Sequence, residues 1–307
     1  MKRLITFLTM TAVCLLMHAQ SRPVPIYDMP ASARSLSTGG GSMGRQQSAY
    51  IYTNPSAAFA AEEARGTAEY LLALVDNKTG NMLLHTVTAS HRWGSHLVMG
   101  GVRYYAQGSI DHALDINMKP VPGRLRLYAY TADLGYARRL GAFSVYGSLG
   151  LASEKAAERI GAYRANIGAS FSHSLQSADY TVGLGIRDLG MVSYRGKNKR
   201  LAPLLHAGGS VTLPTWEGQA LGVFVDGGMY LPSGKSKAAG ILGAGLDYTF
   251  AKRYSLRAGG HTGGDRDNYL SAGLGVRVGR FTMDAAAKLA CEDGLSNLYM
   301  AGMKFDF

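Results

Sequence analysis

Asp111, His112 and Asp115 lie close enough in the chain for their carboxylates and imidazole to share a metal ion or a proton. They occupy a polar stretch between two apolar segments, and a solvated loop accounts for them better than a site does. Cys291 is the one thiol besides Cys14, and a lone cysteine of this kind is more often structural than nucleophilic. Gly39, Gly41 and Gly44 satisfy G-x-G-x-x-G. No strand precedes them and no βαβ unit follows, which argues against a dinucleotide site. Neither G-x-S-x-G nor H-E-x-x-H occurs, and no other His/Cys/Asp group has ligand spacing. No catalytic, cofactor-binding or metal residue is assigned, no cofactor is expected, and the chain is read as a non-enzyme.

A second group of residues alternates. Arg124, Arg126, Tyr128 and Tyr130 take every second position, with Leu125, Leu127 and Ala129 between them, and Arg277 alternates with Val276 and Val278. On the inside of a closed sheet these candidate lumen-facing residues would fill a narrow bore, pairing with Asp226, Asp247 or Asp284. They could also present a basic, tyrosine-lined wall to an anionic head group or an extended peptide. Gly196-Lys-Asn-Lys-Arg200 reads as a basic loop that could touch lipopolysaccharide phosphates.

The elements that would position these residues follow from composition and periodicity. The chain has 307 residues, of which 47% are hydrophobic and only 17% charged. Beyond the N-terminus no stretch is apolar for the ~18 residues that a membrane helix needs. The 40 glycines fall inside the apolar runs, as in Gly183-Leu-Gly185 and Gly273-Leu-Gly275, which favours a curved sheet over helices. Met1 to Gln20 reads as a signal peptide, with Lys2 and Arg3 ahead of an apolar run to Met17. Val13 before Cys14 argues against lipidation, and removal of the signal leaves no disulfide framework. The net charge of +11 suits contact with anionic lipid surfaces and does not require nucleic acid.

Period-two segments predict strands at about 67–76, 80–93, 95–106, 124–138, 142–152, 160–173, 179–188, 203–213, 218–231, 238–250, 253–261, 268–279, 281–290 and 297–307. Leu270, Ala272, Leu274, Val276 and Val278 oppose Ser271, Gly273, Gly275, Arg277 and Gly279; Phe281, Met283, Ala285, Ala287 and Leu289 oppose Thr282, Asp284, Ala286 and Lys288. The links alternate between tight, such as Gly94 and Gly279-Arg280, and long or polar, such as 108–123 and 189–202. Short turns at one end and long loops at the other are the signature of transmembrane barrels. The expected fold is all-β: a transmembrane antiparallel β-barrel of about 14 strands in the bacterial outer membrane. Residues 64–307 would form the barrel and 21–63 an N-terminal plug. The last strand puts Tyr299, Ala301, Met303, Phe305 and Phe307 on one apolar face, and a terminal aromatic resembles the C-terminal barrel signal, here Tyr299, Phe305 and Phe307.

Residues 21–63 lack strand periodicity. They contain Ala33-Arg34, Gly39-Gly40 and, after an alternating segment, Asn54-Pro55-Ser56. This arrangement is similar to the N-terminal signature of the PorV/PorQ family, relatives of the FadL-type fatty-acid channels. It departs from that signature at Ser37-Thr38, Gln46-Gln47 and Ser56. The resemblance implies a plug folded into a fourteen-stranded lumen, with Ala33, Arg34, Gly39, Gly40, Asn54 and Pro55 as its motif. It also implies an accessory role in type IX protein secretion, binding or shuttling exported cargo. Expected partners are outer-membrane lipid and lipopolysaccharide together with secretion-system proteins or exported cargo. The alternative is a FadL-like passive channel for hydrophobic small molecules, which would need an apolar pocket near the plug. An outer-membrane phospholipase dyad assembled across strands would leave no motif and stands as a distant third option.

Overall fold

The structure, a computed structural model, describes residues 24–307 except 45–46, 61–63, 77–80, 111–123, 156–158, 234–237, 264–266 and 293–294. The expected signal peptide and the Asp111, His112 and Asp115 group lie outside the described residues. Fifteen strands form one antiparallel sheet: β1 (Gly66–Asp76), β2 (Met82–Trp93), β3 (His96–Ile110), β4 (Leu125–Leu140), β5 (Phe143–Lys155), β6 (Arg159–Ser174), β7 (Asp179–Tyr194), β8 (Lys197–Arg200), β9 (Leu204–Pro214), β10 (Ala220–Tyr230), β11 (Ala239–Phe250), β12 (Tyr254–Gly263), β13 (Tyr269–Val278), β14 (Phe281–Ala290) and β15 (Asn297–Asp306).

Each strand pairs with the next, except that β7 pairs with β9 and carries β8 as a side hairpin, while β15 pairs with β1. Setting β8 aside leaves 14 strands in a closed barrel, so no edge with unpaired amides remains. The seam is tight: the amides of Arg65 and Gly66 donate to the Phe307 carbonyl at 2.9 Å, and the Phe307 amide returns to Gly66 at 2.9 Å. Both ends of the barrel domain therefore lie at one rim. The tight turns at Gly94, Gly141, Ala251-Lys252 and Gly279 share that rim, each with positive φ.

Burial alternates along β1 to β4 and much of β9 and β11, and large apolar side chains point outward: Leu134 is 71% exposed, Leu149 69% and Leu184 60%. Apolar atoms at that exposure are stable against hydrocarbon. Aromatic rows flank the band. Trp93, Phe143, Phe171, Phe250, Phe281 and Phe305 lie toward the terminal rim, and Tyr104, Tyr128, Tyr130 and Tyr163 toward the other. Such girdles sit at membrane interfaces. The last strand has the predicted phase, with Tyr299, Met303 and Phe307 on the outside.

Three expectations are corrected. Arg126, Tyr128 and Tyr130 face outward, in phase with Leu134 and Tyr136, and Arg124 is exposed just ahead of β4; the inner positions are Ala129, Thr131 and Asp133. The alternation Arg-Leu-Arg-Leu-Tyr reads equally well in either phase, because tyrosine and long basic side chains suit an interface as well as a lumen. Residues Lys197–Arg200 form β8 on the exposed end of β7, not an irregular loop. β7 itself runs to Tyr194, past its expected end, through a shift of register against β6 at Ala165/Ile167. Arg277 keeps the inward phase but is exposed near the terminal rim, at the end of β13.

Candidate functional site

The described residues between 24 and 60 fill the lumen. Ser32 caps the short helix α1 (Ala33–Ser37), its hydroxyl accepting from the Ser35 amide at 3.0 Å. Asn54 does the same for the 3-10 turn Pro55–Phe59: its carbonyl accepts from the Ser56 amide at 3.1 Å while its amide donates to the Met43 carbonyl at 2.9 Å. These two caps are Ser32 beside the Ala33-Arg34 motif and the Asn54 of Asn-Pro, so the motif residues shape the plug by terminating backbone groups that water cannot reach.

The plug is held by charge at one point. Arg34 donates to Asp247 through Nε at 3.1 Å and a terminal nitrogen at 2.7 Å; Arg257 donates to the same carboxylate at 3.0 Å and to Asp284 at 2.6 Å. Two guanidiniums and two carboxylates balance, which offsets much of the cost of removing them from water. The partners of Asp247 and Asp284 are thus Arg34 and Arg257, not the arginines of β4. Asp226 instead accepts from the backbone amides of Ser42 and, at 3.1 Å, Met43. Glu69 accepts from the Ala49 amide at 2.6 Å.

Close approach holds it at another. Gly39, at φ +70°, lies against a stretch of wall bare of side chains: a Cβ there would come within 2.3 Å of the Gly260 carbonyl and 2.5 Å of that of Ala244. On the wall side, a Cβ on Gly243, Gly245 or Gly259 would strike Gly39 or Thr38 within 2.6 Å. The glycines of β11 and β12 therefore form a seat for the plug turn.

Opposite that seat the plug turn 25–29 is clamped by arginines. Arg164 stacks at 3.9 Å over Tyr27 and bonds Asp133 at 3.1 Å and Asp188 at 2.9 Å; Arg103 stacks at 3.8 Å over Tyr52 and donates to the Ile26 and Met29 carbonyls at 3.3 Å. Asp188 reaches the lumen through the β6–β7 register shift: its backbone is left-handed, at φ 60°, and its amide donates to the Asn166 side chain at 2.8 Å. Burial keeps the Tyr27 hydroxyl far above the usual phenol range, so it remains a donor.

Between plug and wall lies a cavity of about 180 Å³. One side carries Arg103, Arg164, Arg187 and His206; another carries Leu204, Tyr230, Ala239 and Ile241. Of the predicted residues, Gly40 and Pro55 line it, and Ala33, Arg34, Gly39 and Asn54 are packed in the same plug. Periodicity does mark Arg103, Arg164 and His206, polar residues in the inward phase of alternating strands, whereas the register shift conceals Asp188. Cys291 is exposed just past β14, and among the described residues no group of His, Cys, Asp and Glu has metal-binding geometry.

No family model and no curated protein matches this chain. Solved structures do. The toluene transporter TodX of Pseudomonas putida superposes with a TM-score of 0.61 over 91% of this chain and 99% of that one, at 10% identity. The Ralstonia pickettii toluene transporter TbuX gives 0.59 over 91% and 98%, at 12% identity. At such identities the likeness shows the fold alone: this chain is an antiparallel β-barrel built like those two transporters.

Proposed function

We propose that the protein is a passive channel for small, largely apolar molecules, closed at rest by its N-terminal segment. The observation that carries this reading is the cavity between plug and wall, with the apolar side formed by Leu204, Tyr230, Ala239 and Ile241. It is the apolar pocket near the plug that a channel requires. The inner wall toward the outer rim is apolar as well, with Val75, Leu84, Tyr105 and Val192 facing inward. The likeness in fold to two toluene transporters supports the same reading. Passage then requires the plug to shift, because Arg34 and Gly39 hold it across the bore.

The type IX secretion role rests on the N-terminal sequence pattern alone, and nothing in the cavity or the comparisons supports it. One experiment addresses both readings. Cells lacking their own aromatic uptake channels are given this protein, and initial uptake of radiolabelled toluene is followed. A several-fold increase over cells carrying an empty vector is expected. Unchanged uptake, with a heat-modifiable barrel present in the outer membrane, would refute the channel. Capture of exported proteins sharing a C-terminal sorting domain, by crosslinking in the native outer membrane, would then favour secretion.

A further inference from the structure

The arginine side of the cavity has chemistry that an apolar solute does not use. Arg164 is saturated by Asp133 and Asp188. Arg103 has no carboxylate: it meets only carbonyls and the Tyr52 ring, and its Nε is buried without a hydrogen-bond partner. Arg187 lines the same cavity and has no hydrogen-bond or ion-pair partner among the described residues. His206 is 7% exposed, its Nε2 likewise buried and unpartnered, and the Tyr27 hydroxyl is in the same condition. All four line one space.

The acidic groups nearby are engaged. Asp133 and Asp188 hold Arg164, Asp267 holds Lys288, and Asp28 has a partner of its own; Asp226 accepts plug amides through one oxygen, its other oxygen is buried without a hydrogen bond, and Arg187 is near enough to act on its charge without bonding to it. A buried guanidinium, Arg103, and a half-buried one, Arg187, neither bonded to a carboxylate and both beside unpartnered polar atoms, are stabilised when an anion joins them. Guanidinium forks match carboxylate geometry.

We propose that this cavity is a binding site for a compact organic anion: a carboxylate held by Arg187 and Arg103, with the Tyr27 hydroxyl and His206 at its edge and an apolar body against Leu204, Tyr230, Ala239 and Ile241. Size sets the class. An apolar cavity of roughly 150 Å³ holds benzene, so about 180 Å³ suits a single-ring aromatic acid. The proposal rests on the channel reading only for how the ligand arrives; binding itself needs no transport.

The test is equilibrium titration of the purified full-length protein in zwitterionic detergent and chloride-free buffer, with benzoate as probe and benzyl alcohol as its neutral counterpart. Benzoate is expected to bind at one site at least tenfold more tightly than benzyl alcohol, and Arg187→Gln to weaken benzoate at least tenfold. Arg187→Lys should keep part of the affinity. Equal binding of benzoate and benzyl alcohol, or an Arg187→Gln barrel that folds and binds as before, would overturn the site. Chloride binding as tightly as benzoate would overturn the organic-anion assignment. If Arg187→Gln does not fold, the wild-type barrel decides: benzoate should raise its unfolding temperature and benzyl alcohol should not, and no shift with benzoate refutes the proposal. Toluene uptake without benzoate binding would sink this inference alone, and benzoate binding without uptake would sink the channel alone.

Discussion

Arg34 is the residue on which closure turns, because it is the plug's charged contact with the Asp247–Arg257–Asp284 group on the wall. Its removal leaves Asp247 still bonded to Arg257 at 3.0 Å, so the cost falls below the ~3–5 kcal/mol of orphaning a buried charge. Arg34→Ala is expected to let the plug open while the barrel stays folded. Single-channel recording in planar bilayers should show rare openings for the wild type and frequent ones for the variant. Asp247→Asn strips a partner from both arginines and should open the channel more often still. Openings equally rare in all three proteins would show that the ion pairs do not hold the plug.

At the scale of elements, the hairpin between β11 and β12 runs through Ala251 and Lys252, at φ 51° and 54°. The loop spans three residues between the paired Phe250 and Tyr254, with the Arg253 amide donating to the Phe250 carbonyl at 3.1 Å, and its two left-handed positions favour Asn and Gly. Each L residue with a Cβ costs about 1–2 kcal/mol there. Ala251→Asn with Lys252→Gly is therefore expected to stabilise the barrel by about 1 kcal/mol or more. A higher temperature for loss of the compact, heat-modifiable band on a gel would register it, and a lower one would contradict the turn geometry. The side hairpin β7–β8 is a different case: its residues Lys197–Arg200 are exposed throughout, so periodicity left no trace of it, and only cross-strand pairing with Met191–Tyr194 made it a strand.

For the whole molecule, closure depends on β15 meeting β1. The Phe307 ring covers Gly66, where a Cβ would lie 2.4 Å from it, and stands in a row with Phe305 and Phe281. Phe307→Ala keeps the backbone seam and loses the ring, whereas deleting Phe307 removes both. The expected order of folded barrel in the outer membrane is wild type, then Phe307→Ala, then the deletion, each several-fold below the last by heat-modifiability. Equal amounts would show that the terminal aromatic has no part in assembly. The sequence by itself determined the barrel: period-two alternation, tight turns at one rim and a greasy final strand are local properties, and each strand can be read without its neighbours. It also marked the plug through Arg34, Gly39 and Asn54, whose backbone demands are local. What only the tertiary structure decided is which side of an ambiguous strand faces the bore, as at Tyr128 and Tyr130, and which charges meet. Asp247 finds Arg34 across 213 positions of chain, and Asp188 turns inward only because one register shift re-aims it. Those pairings depend on closure and on the volume the plug leaves, quantities that exist only once the sheet has joined its own first strand.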